Sequence, residues 1–154
     1  MTGKRGAESL LIPGVATAST DSELCAHWLA VVHQVARETE SRVLGQPTAP
    51  GPARNYYEIR VQLGDSDVIR LLLNVPTALV AAADDRAPGE LATAFRPVPR
   101  GDLFRHAGLR VAEPSELERP LTHSQTRALS PAERQDIAYH RPDRVGDVVF
   151  NWFD

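Results

Sequence analysis

The chain has 154 residues, enough for one domain, and its 42 % hydrophobic and 24 % charged composition excludes a disordered or collagen-like body. Seventeen basic against twenty acidic side chains leave a net charge of -3, so there is no broad positive field for a nucleic-acid partner. A single cysteine makes no internal disulfide and no run approaches the ~18 apolar residues of a membrane span, so a cytoplasmic chain with no membrane partner is expected.

Residues 1–20 read as a flexible N-terminal arm, with a short extended piece at Leu10 to Ile12, ahead of one globular domain over 21–154. Lys4 and Arg5 precede the apolar stretch Leu10 to Ala18, but Glu8, Pro13 and Gly14 break the uninterrupted run that a secretory leader needs. Asp21 or Ser22 can cap a helix expected from Ser22 to Leu44, with Gly45 as its left-handed stop. Cys25, Trp28, Leu29, Val32, Val35, Ala36 and Val43 fall on one face of it, opposite His33, Gln34, Arg37, Glu38, Ser41 and Arg42.

Four prolines and glycines make 46–55 a loop, and a hairpin follows. Tyr57, Ile59, Val61 and Leu63 alternate with Tyr56, Glu58, Arg60 and Gln62, and Ile69, Leu71, Leu73 and Val75 repeat the pattern beyond a turn at 64–67. Pairing Leu63 with Ile69, Val61 with Leu71 and Ile59 with Leu73 keeps the apolar residues on one face. Leu79 to Ala83 and Leu91 to Phe95 are further strands, although the alanines suit a helix equally, with an exposed turn at 84–89 between them.

Beyond Pro99 the units are short. Gly101 to Ala107 reads as two helical turns closed by Gly108, Leu109 to Ala112 as a strand, Ser115 to Arg119 as a helical turn capped by Ser115, and 121–129 as irregular. Ser130-Pro131-Ala132-Glu133 opens a helix limited by Pro142. Val145, Val148, Val149 and Trp152 have helical spacing, and a short helix is expected there; Val148, Phe150 and Trp152 keep strand spacing as the alternative.

Lys4 is the only lysine, and alanine and proline are abundant, a bias of GC-rich bacterial genomes. The closing run Arg141-Pro142-Asp143-Arg144-Val145-Gly146-Asp147-Val148-Val149-Phe150-Asn151-Trp152-Phe153-Asp154 resembles the endings of small uncharacterised proteins of high-GC bacteria. The resemblance covers only this tail and implies no activity.

The chain carries no glycine-rich phosphate loop with lysine, dinucleotide fingerprint, paired-histidine motif, paired cysteines or nucleophile elbow, so no cofactor is expected. No metal is expected either: the five histidines lack ligand spacing, and His27 and His33 point roughly 120° apart on a helix. Cys25, on the apolar stripe, reads as a small buried hydrophobe, and Asp65, Asp67, Asp84 and Asp85 read as turn formers. Phe150, Trp152 and Phe153 read as a plug for the core, with a partner-binding tail as the alternative.

The strongest constellation is the polar face of the hairpin, where Tyr56, Glu58, Arg60, Gln62, Arg70 and Asn74 stand together. It reads first as a solvated sheet face. The alternative is a pocket roofed by the loop around Asn55 and the terminal segment, in which arginine binds an anionic or carbonyl group and Glu58 moves a proton.

The expected fold is α+β, a long N-terminal helix packed on an antiparallel sheet of about four strands, with small C-terminal helices. A 22–44 helix would be about 33 Å long against strands of about 24 Å, and covering the overhang suggests a homodimer. The expected function is a non-catalytic binding or regulatory protein acting through a protein interface, such as an accessory, immunity-like or assembly factor. The alternative is a cofactor-independent enzyme or ligand-binding protein of bacterial specialised metabolism, built on Glu58, Arg60 and Arg70.

Overall fold

Asp21 opens the first helix by accepting a hydrogen bond from the Leu24 amide at 3.0 Å. The computed structural model of the protein describes residues 10–52, 54–85 and 93–153. Its elements in chain order are α1 (Ser22–Glu38), β1 (Arg42–Thr48), β2 (Tyr56–Leu63), β3 (Asp67–Asn74), β4 (Leu79–Asp84), β5 (Phe95–Arg96), α2 (Gly101–His106), β6 (Arg110–Val111), α3 (Pro114–Leu117), α4 (His123–Thr126), α5 (Pro131–His140) and α6 (Val145–Val149). The fold is α+β. Strands β1 to β5 form an antiparallel meander in chain order, and β6 pairs parallel with β4.

The expected 22–44 helix is cut short. Thr39 donates its hydroxyl back to the Val35 carbonyl at 2.7 Å, and Glu40, at φ 54°, turns the chain out of the helix. Residues 42–48 then pair with β2, placing Val43 opposite Val61, so tertiary pairing overrides the local helical pattern. Gly45, read as a helix stop, instead takes φ 72° where the β1–β2 register shifts. At 17 residues α1 is about 26 Å long, close to the ~27 Å of an eight-residue strand, and the overhang that favoured a homodimer is gone.

The hairpin register also differs from expectation. Leu63 pairs with Asp67, Val61 with Ile69 and Ile59 with Leu71, because the connection is the three-residue loop 64–66 with Gly64 at φ 61°. This shift of two residues leaves each side chain on its expected face, since the strand period is two. Leu91 and Ala92 of the fourth expected strand, and 86–89 of the turn before it, lie outside the described residues, and β5 holds Phe95 and Arg96. Glu113, not Ser115, caps the helical turn α3, which carries a capping box with Glu116. Thr122 opens α4 in the stretch read as irregular. The Ser130 cap of α5 and the helical α6 agree with the sequence.

Both faces of the sheet are buried. On one, Trp28, Val32 and Val35 of α1 pack with Phe104 and Leu109 on Ile59, Val61, Leu71 and Leu73. The indole N–H of Trp28 finds no acceptor among the described residues. On the other face, Leu11 and Val15 from the expected arm join Leu117, Val148, Val149 and Phe150 over Tyr56, Leu72, Leu79 and Ala81. Packing there is close enough that Gly146 is required: a Cβ would meet the Phe95 ring at 2.5 Å and the Leu117 carbonyl at 2.9 Å. Of the three tail aromatics only Phe150 is a core plug, while Trp152 and Phe153 are half-buried.

Candidate functional site

The six residues of the hairpin's polar face divide into separate groups. Arg70, 3 % exposed, donates to Glu58 Oε1 at 2.9 Å and through Nε to the Asp84 carbonyl at 2.9 Å. Glu58 also faces Arg54, whose Nη1 lies 3.5 Å from Oε2 and whose guanidinium sits over the Tyr56 ring. Tyr56 is buried, edge-on to Phe150. At the far end of the strands Arg60 pairs with Asp85 at 2.9 Å, and Gln62 accepts from Arg42 Nη2 and donates to the Asp65 carbonyl. Arg60 stands directly opposite Arg70, and their separate carboxylates relieve the like-charge contact.

Asn74 belongs to a third group, a buried amide network that fastens both ends of the described chain to the sheet. Asn55 and Asn74 each donate Nδ2 hydrogens to the same two carbonyls, of Val15 and Val149, over 2.9 to 3.1 Å. Asn151 donates to the Ala16 and Val148 carbonyls, and its amide donates to Asn55 Oδ1 at 2.8 Å. Fully paired buried amides of this kind fix one arrangement, since an unpaired one costs about 1 to 3 kcal/mol.

Glu133 grips the same N-terminal turn from α5. Its Oε1 accepts from the Gly14 amide at 2.9 Å and the Ser130 amide at 3.0 Å, and its Oε2 accepts from the Ala16 amide at 2.8 Å. Burial pushes this carboxyl up, but the amides of Gly14, Ser130 and Ala16 outweigh it and hold the carboxyl below the ordinary glutamate range. A carboxyl depressed on folding stabilises the fold above its unfolded pKa, and that contribution is lost as pH falls through the folded value.

These fastenings leave a cleft of about 420 Å³ between the 16–18 segment, residues 51, 52, 54 and 55, α5 and the C-terminal tail. Its floor is Asn55 and Asn151, whose amide hydrogens are already engaged. Arg54 stands in one wall, 27 % exposed, and its guanidinium donates no hydrogen bond to the described residues. On α5 stand Glu133, engaged as above, and the exposed Asp136, which has no partner among the described residues. Phe153 also lines the cleft. It stacks on His140 at 4.4 Å, which in turn meets Tyr139 edge-on, while Trp152 meets Phe153. Tyr139 is 82 % exposed.

The alternative reading of the hairpin face took Arg60 and Arg70 as ligand-facing cations; the cleft is lined by Arg54, which the sequence assigned only to a loop. The one available signal was its neighbour Asn55, already singled out as the base of a possible roof. Burial raises the Cys25 thiol pKa, as an inert core position would. Among the described residues no cluster of three metal-ligating side chains occurs, and no helix is long and apolar enough to cross a membrane. No family model, curated protein or solved structure matches the chain.

Proposed function

We propose that the protein is a non-catalytic cytoplasmic binding protein that works through a protein interface, as an accessory or assembly factor does. The observation that carries this reading is the run of rings beside the cleft, Tyr139, His140, Phe153 and Trp152, with Tyr139 almost wholly in water. Exposed aromatic side chains give large contact area for little conformational entropy and dominate protein interfaces. The acidic groups in and near the cleft favour binding over proton transfer: Glu133 accepts from three backbone amides, and Glu58 accepts from Arg70 with the charge of Arg54 3.5 Å away.

A photo-reactive residue placed at Tyr139, with a second variant carrying it at His33 on the outer face of α1, tests the interface in cells that express the protein. Position 139 is expected to give a discrete cross-link to one other protein, competed by excess wild-type chain but not by a Tyr139→Ala, Phe153→Ala double variant. No adduct at 139, or the same adducts from both positions, would remove the interface from this surface.

A further inference from the structure

We infer that the cleft binds the terminal carboxylate of a peptide chain ending in an apolar residue, with Arg54 as the carboxylate's anchor. The inference rests on the reading that partners dock at this surface, and it names what they present there. Charge comes first. Arg54 and Arg70 share the single carboxylate of Glu58, so this cluster holds one positive charge in excess, and Arg70 is sealed beneath the surface at 3 % exposure. The excess is accessible only at Arg54, whose guanidinium donates no hydrogen bond to the described residues. Nη1 is buried 3.5 Å from Glu58 Oε2, so the donors left for a ligand are those of Nε and Nη2, which fit a carboxylate or a phosphate oxygen pair.

The acidic side chains that line the same cleft decide between them. Asp136 lies on α5 with no partner among the described residues, and Glu133 keeps its negative charge there, so a second charge on the ligand would be repelled. A monoanion meets the same contact with Arg54 at about half the repulsion a dianion would meet. Alongside the charges the cleft offers apolar surface from Pro52, Ala16, Ala18 and the Phe153 ring, which suits an apolar side chain next to the carboxylate. About 420 Å³ is enough for the last two or three residues of a chain, within the usual range of roughly 300 to 1,000 Å³ for small-ligand clefts.

Titration of the protein with N-acetyl-Ala-Leu, with its C-terminal amide and with inorganic phosphate, followed by amide chemical shifts, tests this. The acid is expected to bind saturably and to shift the amides of 16–18, Gly51, Arg54 and Asn55, with the peptide amide weaker by about ten-fold or more, the size of a lost charge-assisted pair. Arg54→Ala should abolish the effect and Arg54→Lys should retain part of it, both with unchanged spectra elsewhere as proof of folding. Asp136→Asn should keep the acid and admit phosphate. Equal binding of acid and amide, binding unchanged in Arg54→Ala, tighter binding of phosphate than of the acid by the wild type, or no saturable binding of the acid overturns the carboxylate assignment. A specific cross-link at position 139 alongside such a failure would leave the interface standing. Acid binding that depends on Arg54 without any cross-link would remove the protein partner and keep the carboxylate site.

Discussion

Phe150→Ala is expected to lower the unfolding free energy by about 3 to 5 kcal/mol, the usual cost of emptying a buried aromatic site. Phe150 is 2 % exposed and holds the C-terminal tail on the second face of the sheet. Its ring meets Tyr56 edge-on at 5.7 Å and Phe95 at 6.2 Å, contacts that add to the area it buries. The resulting void would lie between the sheet and α6, where Gly146 already packs against Phe95 and little slack remains to collapse into it. Urea denaturation reads the effect. A loss below about half a kilocalorie per mole, the size of surface substitutions, would mean that the tail is not seated there.

Leu71→Ala should cost about 2 to 5 kcal/mol through the opposite face. Leu71 is 1 % exposed, paired with Ile59 on one side and Ala82 on the other, beneath α1. Because both faces rest on the same strands, this variant and Phe150→Ala should each shift the denaturation midpoint and leave the slope unchanged. A slope that falls in one variant alone would show the two layers unfolding separately.

The first face of the sheet was legible in the sequence. Trp28, Val32, Ile59, Val61, Leu71 and Leu73 were expected in the core and all are buried, because helical and strand periods are strong where one side meets water. The second face was obscured by Glu58, Arg60, Gln62, Arg70 and Asn74, which alternate with apolar residues as on a wet sheet. Leu72 and the run Leu79 to Ala83 carried the opposite signal, a continuous apolar stretch typical of strands covered on both sides. What covers that face comes from 10–18 and 145–151, remote in sequence, and no local pattern pairs Glu133 with Gly14 across 119 positions. The cleft was illegible for the same reason: its walls are four segments that meet only in the folded chain, and its cation, Arg54, sits in a proline-rich loop without periodicity. The alternative of a roof over the hairpin came closest, since the Asn55 loop and the tail do meet there, but they fill most of the face with side chains.

That the two ends of the described chain jointly close the sheet and so build the cleft is tested most directly by amide hydrogen exchange at Gly14, Ala16 and Asn151, in the wild type and in Glu133→Gln. The three amides are bonded to Glu133 and Asn55 and should be protected in the wild type to nearly the same degree as the strand amides. In Glu133→Gln, Gly14 and Ala16 should exchange at least about ten-fold faster, the loss of a charge-assisted bond, while Val32 in α1 keeps its protection. Exchange of Gly14 and Ala16 at free-peptide rates in the wild type, with Leu71 still protected, would contradict it: the N-terminal segment would then be off the sheet and the cleft without one of its walls.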